Sequence, residues 1–239
     1  MKITVLITTY RRRGLLLRLL QQLKDAAGEH DVMVHIIHDG ACPPQYAPVN
    51  HWLCTHRPAW SLVSASAHCG KQRYYSLISQ LFRIGSRDGA DYYIQLPDDI
   101  QVAPTFFKDA VTAYESIQDD KKICLNLLRD AREKVGWVSF DPVPRGDVRQ
   151  TQWVDMCYIA PPSFFKRLGH TVFPISASRF KNPNISSGVG SQISRRIHEQ
   201  GYHIYQVEKS LVSHGTHESV MHCEHRRHTP LITNNFAHV

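Results

Sequence analysis

The opening of the chain constrains its fold more than any other segment. Residues 2–9, Lys2-Ile3-Thr4-Val5-Leu6-Ile7-Thr8-Thr9, are largely apolar and β-branched and read as a buried strand. From Arg12 to Lys24 leucines recur at helical spacing (Leu15, Leu16, Leu19, Leu20, Leu23), and Gly28 stops the helix they predict. Val32 to His38 is a second apolar strand, closed by Asp39-Gly40. A strand, a helix and a strand in succession imply a parallel pair joined by a right-handed crossover.

The alternation continues. Residues 41–70 are rich in Pro, His and Cys and read as loops, with one short strand around Ser61-Leu62-Val63. Gly70 to Ile84 is an amphipathic helix, Tyr92 to Leu96 a strand ending in Pro97-Asp98-Asp99, Thr105 to Ile117 a helix, and Lys122 to Leu128 a strand. Residues 129–152 read as charged loop, Trp153 to Ile159 as a strand, Ser163 to Leu168 and Ser191 to Gln200 as helices, and Tyr202 to Val207 as the last strand. The fold class expected is α/β: one domain over 1–239 with a mostly parallel, doubly wound sheet flanked by helices. The domain is read as two halves, 1–100 and 101–239, the second ending in a His-rich tail. Ligands of such sheets sit beyond the carboxyl ends of the strands, where Asp39, Asp98 and Asp99 all fall.

With 239 residues, 42% apolar and 21% charged, the chain can bury a sizeable core. No apolar run is long enough to span a bilayer, and the N-terminus reads as a strand rather than a signal peptide. The six cysteines form no CxxC pair, which fits free thiols and a cytoplasmic setting. A net charge of +7 favours an anionic partner, or else serves solubility.

Adjacent carboxylates after an apolar strand are costly unless neutralised, and a hard cation such as Mg²⁺ or Mn²⁺ resolves that cost through oxygen ligands shared with substrate phosphates. A solvated Pro-Asp-Asp turn is the plainer reading of Asp98 and Asp99. Gly70-Lys71-Gln72-Arg73 opens a predicted helix, so its amides and the cations of Lys71 and Arg73 suit a diphosphate, although it is no Walker sequence. Arg11-Arg12-Arg13 either neutralises phosphates or forms a solvated basic face. The tail histidines His214, His217, His222, His225 and His228, with Cys223, fit no standard zinc spacing.

Four segments resemble GT-A glycosyltransferases, in the order that family shows them. Val5-Leu6-Ile7-Thr8-Thr9-Tyr10-Arg11-Arg12 is similar to the family's first strand, and His35-Ile36-Ile37-His38-Asp39-Gly40 to the second, whose Asp contacts the nucleotide base. Tyr92 to Asp99 resembles the strand bearing the DxD motif, with Pro97 in place of its first Asp. Gly201-Tyr202-His203-Ile204-Tyr205 with Leu211-Val212-Ser213-His214 resembles the late segment whose His is a further metal ligand in many members. The resemblance implies a metal set of Asp98, Asp99 and His214, with 1–100 as the nucleotide-sugar-binding half and 101–239 as the acceptor-binding half; together with the cations at the predicted helix start it gives a nucleotide-sugar site of Thr8, Tyr10, Arg11, Asp39, Lys71, Arg73 and Asp98. One departure matters. Where inverting members carry Glu-Asp before the late helix, with that Asp as general base, this chain reads Gly188-Val189-Gly190-Ser191. Asp155 is the substitute base, ahead of Glu208 and Asp141, unless the reaction retains configuration.

The function expected is sugar transfer from a nucleotide sugar, a UDP-sugar first, to an acceptor hydroxyl with Mn²⁺ or Mg²⁺. The basic charge and the Arg/His clusters at both ends favour a DNA acceptor, 5-hydroxymethylcytosine in bacteriophage DNA, where the target base must be flipped out. Cell-surface polysaccharide or lipopolysaccharide synthesis is the alternative, and a non-catalytic nucleotide- or nucleic-acid-binding module is the alternative of another class. A nucleotidyltransferase would carry a glycine-rich loop after the first strand, which Thr8-Thr9-Tyr10-Arg11 lacks.

Overall fold

In the computed structural model, which describes residues 1–129, 143–154, 156–182 and 185–214, the predicted first strand is the axis of the molecule. Strand β1 (Lys2–Thr9) is buried from Ile3 onward and pairs in parallel with β2 (Asp31–His38) on one side and β4 (Tyr92–Pro97) on the other. Strand β3 (Ser61–Ser64) extends β2 in parallel. Among the described residues the full sheet has eight strands, ordered β3-β2-β1-β4, then β8 (Tyr158–Ala160), β6 (Lys122–Asn126), β9 (His203–Val207) and β7 (Val148–Thr151).

Helices cover both faces, and the alternation of β1 assigns them. Ile3, Val5 and Ile7 face a core built with α1 (Arg13–Ala26), α2 (Ala47–His56) and α4 (Phe106–Glu115). Leu6 faces the other way, into a core with α3 (Tyr74–Gly85), α5 (Pro162–Arg167) and α6 (Val189–Glu199). The leucines read as helical in the sequence are the buried stripe of α1: Leu16, Leu19, Leu20 and Leu23. The α/β class and the helix-flanked sheet are as expected.

The second half departs from a simple parallel plan. Strand β6 (Lys122–Asn126) pairs in parallel with β9 (His203–Val207), but β8 (Tyr158–Ala160) runs antiparallel to both β4 and β6, and β7 (Val148–Thr151) antiparallel to β9. No helix intervenes among the described residues between β6 and β8, so no right-handed crossover is imposed there. The strand expected over 153–159 shrinks to β8, because side chains already satisfy the backbone before it. Val154 N donates to Ser194 Oγ at 2.7 Å, and Trp153 O accepts from Asn126 Nδ2 at 2.7 Å.

Two helices also differ. The stretch read as loop before residue 60 contains α2, where Pro48 sits in the first turn and only Val49 and Leu53 are buried. Its apolar residues are spread around the helix, with Trp52 only partly buried and Cys54 exposed, which leaves little periodicity to read. Helix α3 starts at Tyr74 rather than at Gly70, which adopts a left-handed φ of +53° and lies in a turn. A separate two-stranded sheet pairs β5 (Ile100–Val102) with β10 (Val212–His214). Among the described residues no helix is long and apolar enough to cross a membrane.

Helix α6 packs so closely that Gly190 has no room for a side chain. A Cβ there would lie 2.5 Å from Val154 O. Gly190→Ala should therefore lower stability by about 1–3 kcal/mol in urea unfolding with an unchanged slope. A loss under about 0.5 kcal/mol would mean that the Val154 segment yields freely.

Candidate active site

Strand register assembles the site. Thr8 is paired with Pro97, and Thr9 with His38, so the chain leaves β1, β2 and β4 side by side. Tyr10, Asp39 and Asp98-Asp99 thus meet at one end of the sheet. The antiparallel β5–β10 pair sets His214 opposite Ile100, one residue beyond Asp99.

Asp98 and Asp99 are 5% and 6% exposed, so their charges must be met inside the protein. Asp98 Oδ2 accepts from Thr9 Oγ1 at 2.7 Å and from Tyr10 N at 3.3 Å. Burial above all, and the neighbouring Asp99 charge, push the Asp98 carboxyl up to about 7 against the lowering effects of Thr9, Arg12 and the Tyr10 amide. Asp99 Oδ2 accepts from Arg12 Nη1 and lies 3.3 Å from His214 Nε2, while Arg12 Nη1 is 3.8 Å from Asp98 Oδ1.

The fit to a divalent cation rests on the other oxygen of Asp99. Oδ1 is buried and has no hydrogen-bond partner. A carboxylate with one orphaned oxygen, and with an imidazole nitrogen 3.3 Å from its other oxygen, offers ligand types that suit Mn²⁺ or Mg²⁺. Asp98 turns one oxygen towards β1, and among the described residues no three His, Cys, Asp or Glu side chains converge into a closed cage. That is consistent with a cation held by one or two carboxylates and completed by phosphate and water.

Beside this pair lies a second carboxylate, Asp39. Its Oδ1 accepts from Cys69 N, and its Oδ2 accepts from Gly70 N at 2.9 Å and lies 3.1 Å from His68 Nδ1. Asp39 therefore clips the 68–70 turn to the end of β2. His68 in turn stacks on Tyr10, with ring centroids 4.6 Å apart. Arg11, at a φ of 60°, places its guanidinium over the outer side of this pair, 5.0 Å from the Tyr10 ring centre. Thr8 Oγ1 is 3.0 Å from Tyr74 OH, which ties β1 to the start of α3. Lys71 is half-buried in the turn, and the exposed Arg73 donates to His68 O at 2.6 Å. Neither cation belongs to a helical first turn, so the expected helix-terminus cradle at Gly70 is replaced by a turn that Asp39 holds.

In the second half of the chain, α6 begins at Val189, which is fully buried, followed by Gly190 pressed against Val154 O. No carboxylate can occupy position 190 without moving that backbone. Asp155, the neighbour of Val154, lies outside the described residues, as do Asp141, His217, His222, Cys223, His225, Arg226, Arg227 and His228. Glu208 is bound bidentately by Arg149 and lies 3.0 Å from Arg129, and these cations hold it below the usual carboxylate range. Such a carboxylate is a poor proton acceptor.

Arg12 and His68 are the site residues that sequence reasoning missed. Arg12 stood undistinguished within a run of three arginines, and only the register of β1 against β4 selects it. His68 sat in a stretch read as loop, with no local signal.

No protein-family model matches the sequence, and no curated protein matches it. Solved structures do. A mannosyltransferase from Pyrobaculum calidifontis, PcManGT, in complex with GDP-Man and Mn²⁺, superposes with a TM-score of 0.61 at 13% identity, covering 92% of this chain and 58% of that one. S. aureus TarS 1-349 in complex with UDP-GlcNAc superposes with a TM-score of 0.61 at 11% identity, covering 92% and 60%. The chain thus spans about three-fifths of the length of these proteins. At such identities the likeness is one of fold: a large central sheet flanked by helices, shared with these two proteins.

Glu208 gives a pH test of the second half of the chain. Its folded value is lowered, so its stabilisation is complete above the ordinary glutamate value and is lost as pH falls through the folded one. Glu208→Gln should cost about 1–3 kcal/mol at pH 7, with the difference from wild type closing in acid below about pH 4. A cost independent of pH would show that the carboxylate charge is not what Arg149 and Arg129 stabilise.

Proposed function

We propose that this protein is a metal-dependent glycosyltransferase that moves a sugar from a nucleotide sugar to an acceptor hydroxyl. The observation that carries the reading is Asp99, a buried carboxylate with one oxygen unpartnered and the other beside His214, at the shared end of β1, β2 and β4. Asp99 and His214 would hold Mn²⁺ or Mg²⁺, with Asp98 beside them. A divalent cation there supplies positive charge to a departing diphosphate.

The protein's own residues supply the rest. Asp39 and Tyr10, with the His68 turn they hold, form the nucleoside end of the site; Thr8 braces β1, and Arg11, Lys71 and Arg73 line its rim. The bond from the anomeric carbon to the phosphate oxygen breaks as the acceptor oxygen bonds to the opposite face of that carbon. Asp155 takes the hydroxyl proton, and configuration inverts. Support for Asp155 comes from its neighbour: Val154 O occupies the space a side chain at 190 would need, so the 153–154 segment lies against the place where the family resemblance expects its base. A UDP-sugar is the first donor to test, and GDP-sugars come next. The net charge of +7 favours an anionic acceptor, and 5-hydroxymethylcytosine DNA is the first to test, with polysaccharide and lipid acceptors as the competing arm.

The decisive experiment incubates the protein with a panel of nucleotide sugars, Mn²⁺ and each acceptor class, followed by mass spectrometry of the products. We expect Mn²⁺-dependent release of nucleoside diphosphate that falls at least 100-fold in Asp99→Ala. Turnover that survives chelation would sink the metal reading, and binding without any turnover would favour a non-catalytic nucleotide-binding module. A glycan or lipid adduct without a DNA adduct would reassign the acceptor. In Asp155→Asn, kcat should fall about 10²–10⁴-fold with KM little changed. A fall below about tenfold would remove Asp155 as the base.

A further inference from the structure

Arg12 is placed differently from its neighbours. Arg11 and Arg13 are exposed, the first over Tyr10 and the second donating to Gln45 O at 3.0 Å. The Arg12 side chain is only 11% exposed and turns inward to Asp99 Oδ2, with Asp98 Oδ1 3.8 Å away. The left-handed backbone at Arg11 and the start of α1 at Arg13 set that direction, since Arg12 O accepts from Leu16 N and fixes Arg12 as the residue from which the helix departs.

The charges then make a simple count. Asp98 and Asp99 carry two negative charges when ionised, and Arg12 returns one positive charge. A divalent cation at the orphaned Asp99 Oδ1 would bring two more onto the carboxylate whose other oxygen the guanidinium already holds. Like charges on one buried carboxylate repel strongly. A diphosphate offers Arg12 a replacement partner of the right shape, because a guanidinium fork binds phosphate oxygens bidentately.

We propose that Arg12 is a tethered counter-ion that opposes divalent-cation binding at Asp99 and passes to the diphosphate when the nucleotide arrives, so that cation and nucleotide bind cooperatively. The inference rests on the reading of Asp99 as a cation ligand given above. It makes Arg12 a positioning residue whose contribution is a coupling between two ligands, and that coupling is reciprocal.

The test is Mn²⁺ titration of the full chain by calorimetry and by the loss of the free-ion paramagnetic resonance signal, with and without saturating UDP or GDP. In wild type, the nucleotide should tighten Mn²⁺ binding by roughly 5–150-fold. In Arg12→Gln, Mn²⁺ alone should bind at least about fivefold more tightly than in wild type, and the nucleotide's effect should shrink by a similar factor. Arg12→Lys, which keeps the charge and loses the fork, should keep weak binding of Mn²⁺ alone. Circular dichroism checks that each variant is folded; if Arg12→Gln is not, the wild-type coupling and the Lys variant still decide. Absent coupling in wild type overturns the proposal, as does Arg12→Gln binding Mn²⁺ no more tightly. If wild type binds no Mn²⁺ with or without either nucleotide, the cation reading of Asp99 itself has failed.

Discussion

Two adjacent carboxylates buried at the end of a central strand are the constraint around which the rest of this structure is arranged. Neither can remain ionised in a low-dielectric site without partners, and each draws on a different part of the chain. Asp98 uses the hydroxyl of Thr9 and the amide of Tyr10, both at the end of β1. Asp99 uses Arg12 from the start of α1 and His214 from β10. Segments more than a hundred residues apart are thus drawn to one point, and the β5–β10 pairing exists beside it to deliver the histidine. Even so, one oxygen of Asp99 has no partner, and Asp98 is pushed up to about 7. Residual cost of this kind contributes nothing to packing, and clusters at sites that bind charge.

The two halves of the sheet divide the work. The parallel strands β3, β2, β1 and β4 end together, and the acidic side chains Asp39, Asp98 and Asp99 gather at that end. The other half contains reversed strands, and its polar residues are committed to holding the fold. Arg149 and Arg129 clasp Glu208, Ser194 holds Val154, and Asn126 holds Trp153 O. The last two bonds position the 153–154 segment against β6 and α6, where ladder pairing does not reach it.

The first half was legible in the sequence because buried strands and strand-end carboxylates leave local marks. Runs such as Val5-Leu6-Ile7 and Ile94-Gln95-Leu96 predict the strands, and Asp39 and Asp98-Asp99 follow them directly. The likeness of Leu211–His214 to a family segment pointed to His214, although nothing local predicted that it would pair across Ile100. Arg12 could not be told from Arg11 and Arg13, because the choice depends on a backbone turn at Arg11 and on the register of another strand. His68 and the Asp39 clip were hidden for a similar reason: a carboxylate that binds two backbone amides thirty residues on has no signature in spacing. Helix α2 was missed because its buried face is two side chains wide.

Gly190 sharpens how the second half of the chain should be understood. In the sequence, Val189-Gly190 stands where the family resemblance expects a Glu-Asp pair, and that absence was the only support for a non-catalytic module. In the structure the same two residues are occupied with packing: Val189 is fully buried in the second core, and Gly190 admits the Val154 carbonyl where a Cβ would clash. Packing at 190 and a carboxylate at 190 exclude each other, so the absent pair reports how α6 is seated and does not by itself report lost chemistry. The close approach that forbids a base on the helix also brings the chain just before Asp155 against it. The backbone contact at Val154 therefore accounts for the glycine at 190 by packing alone.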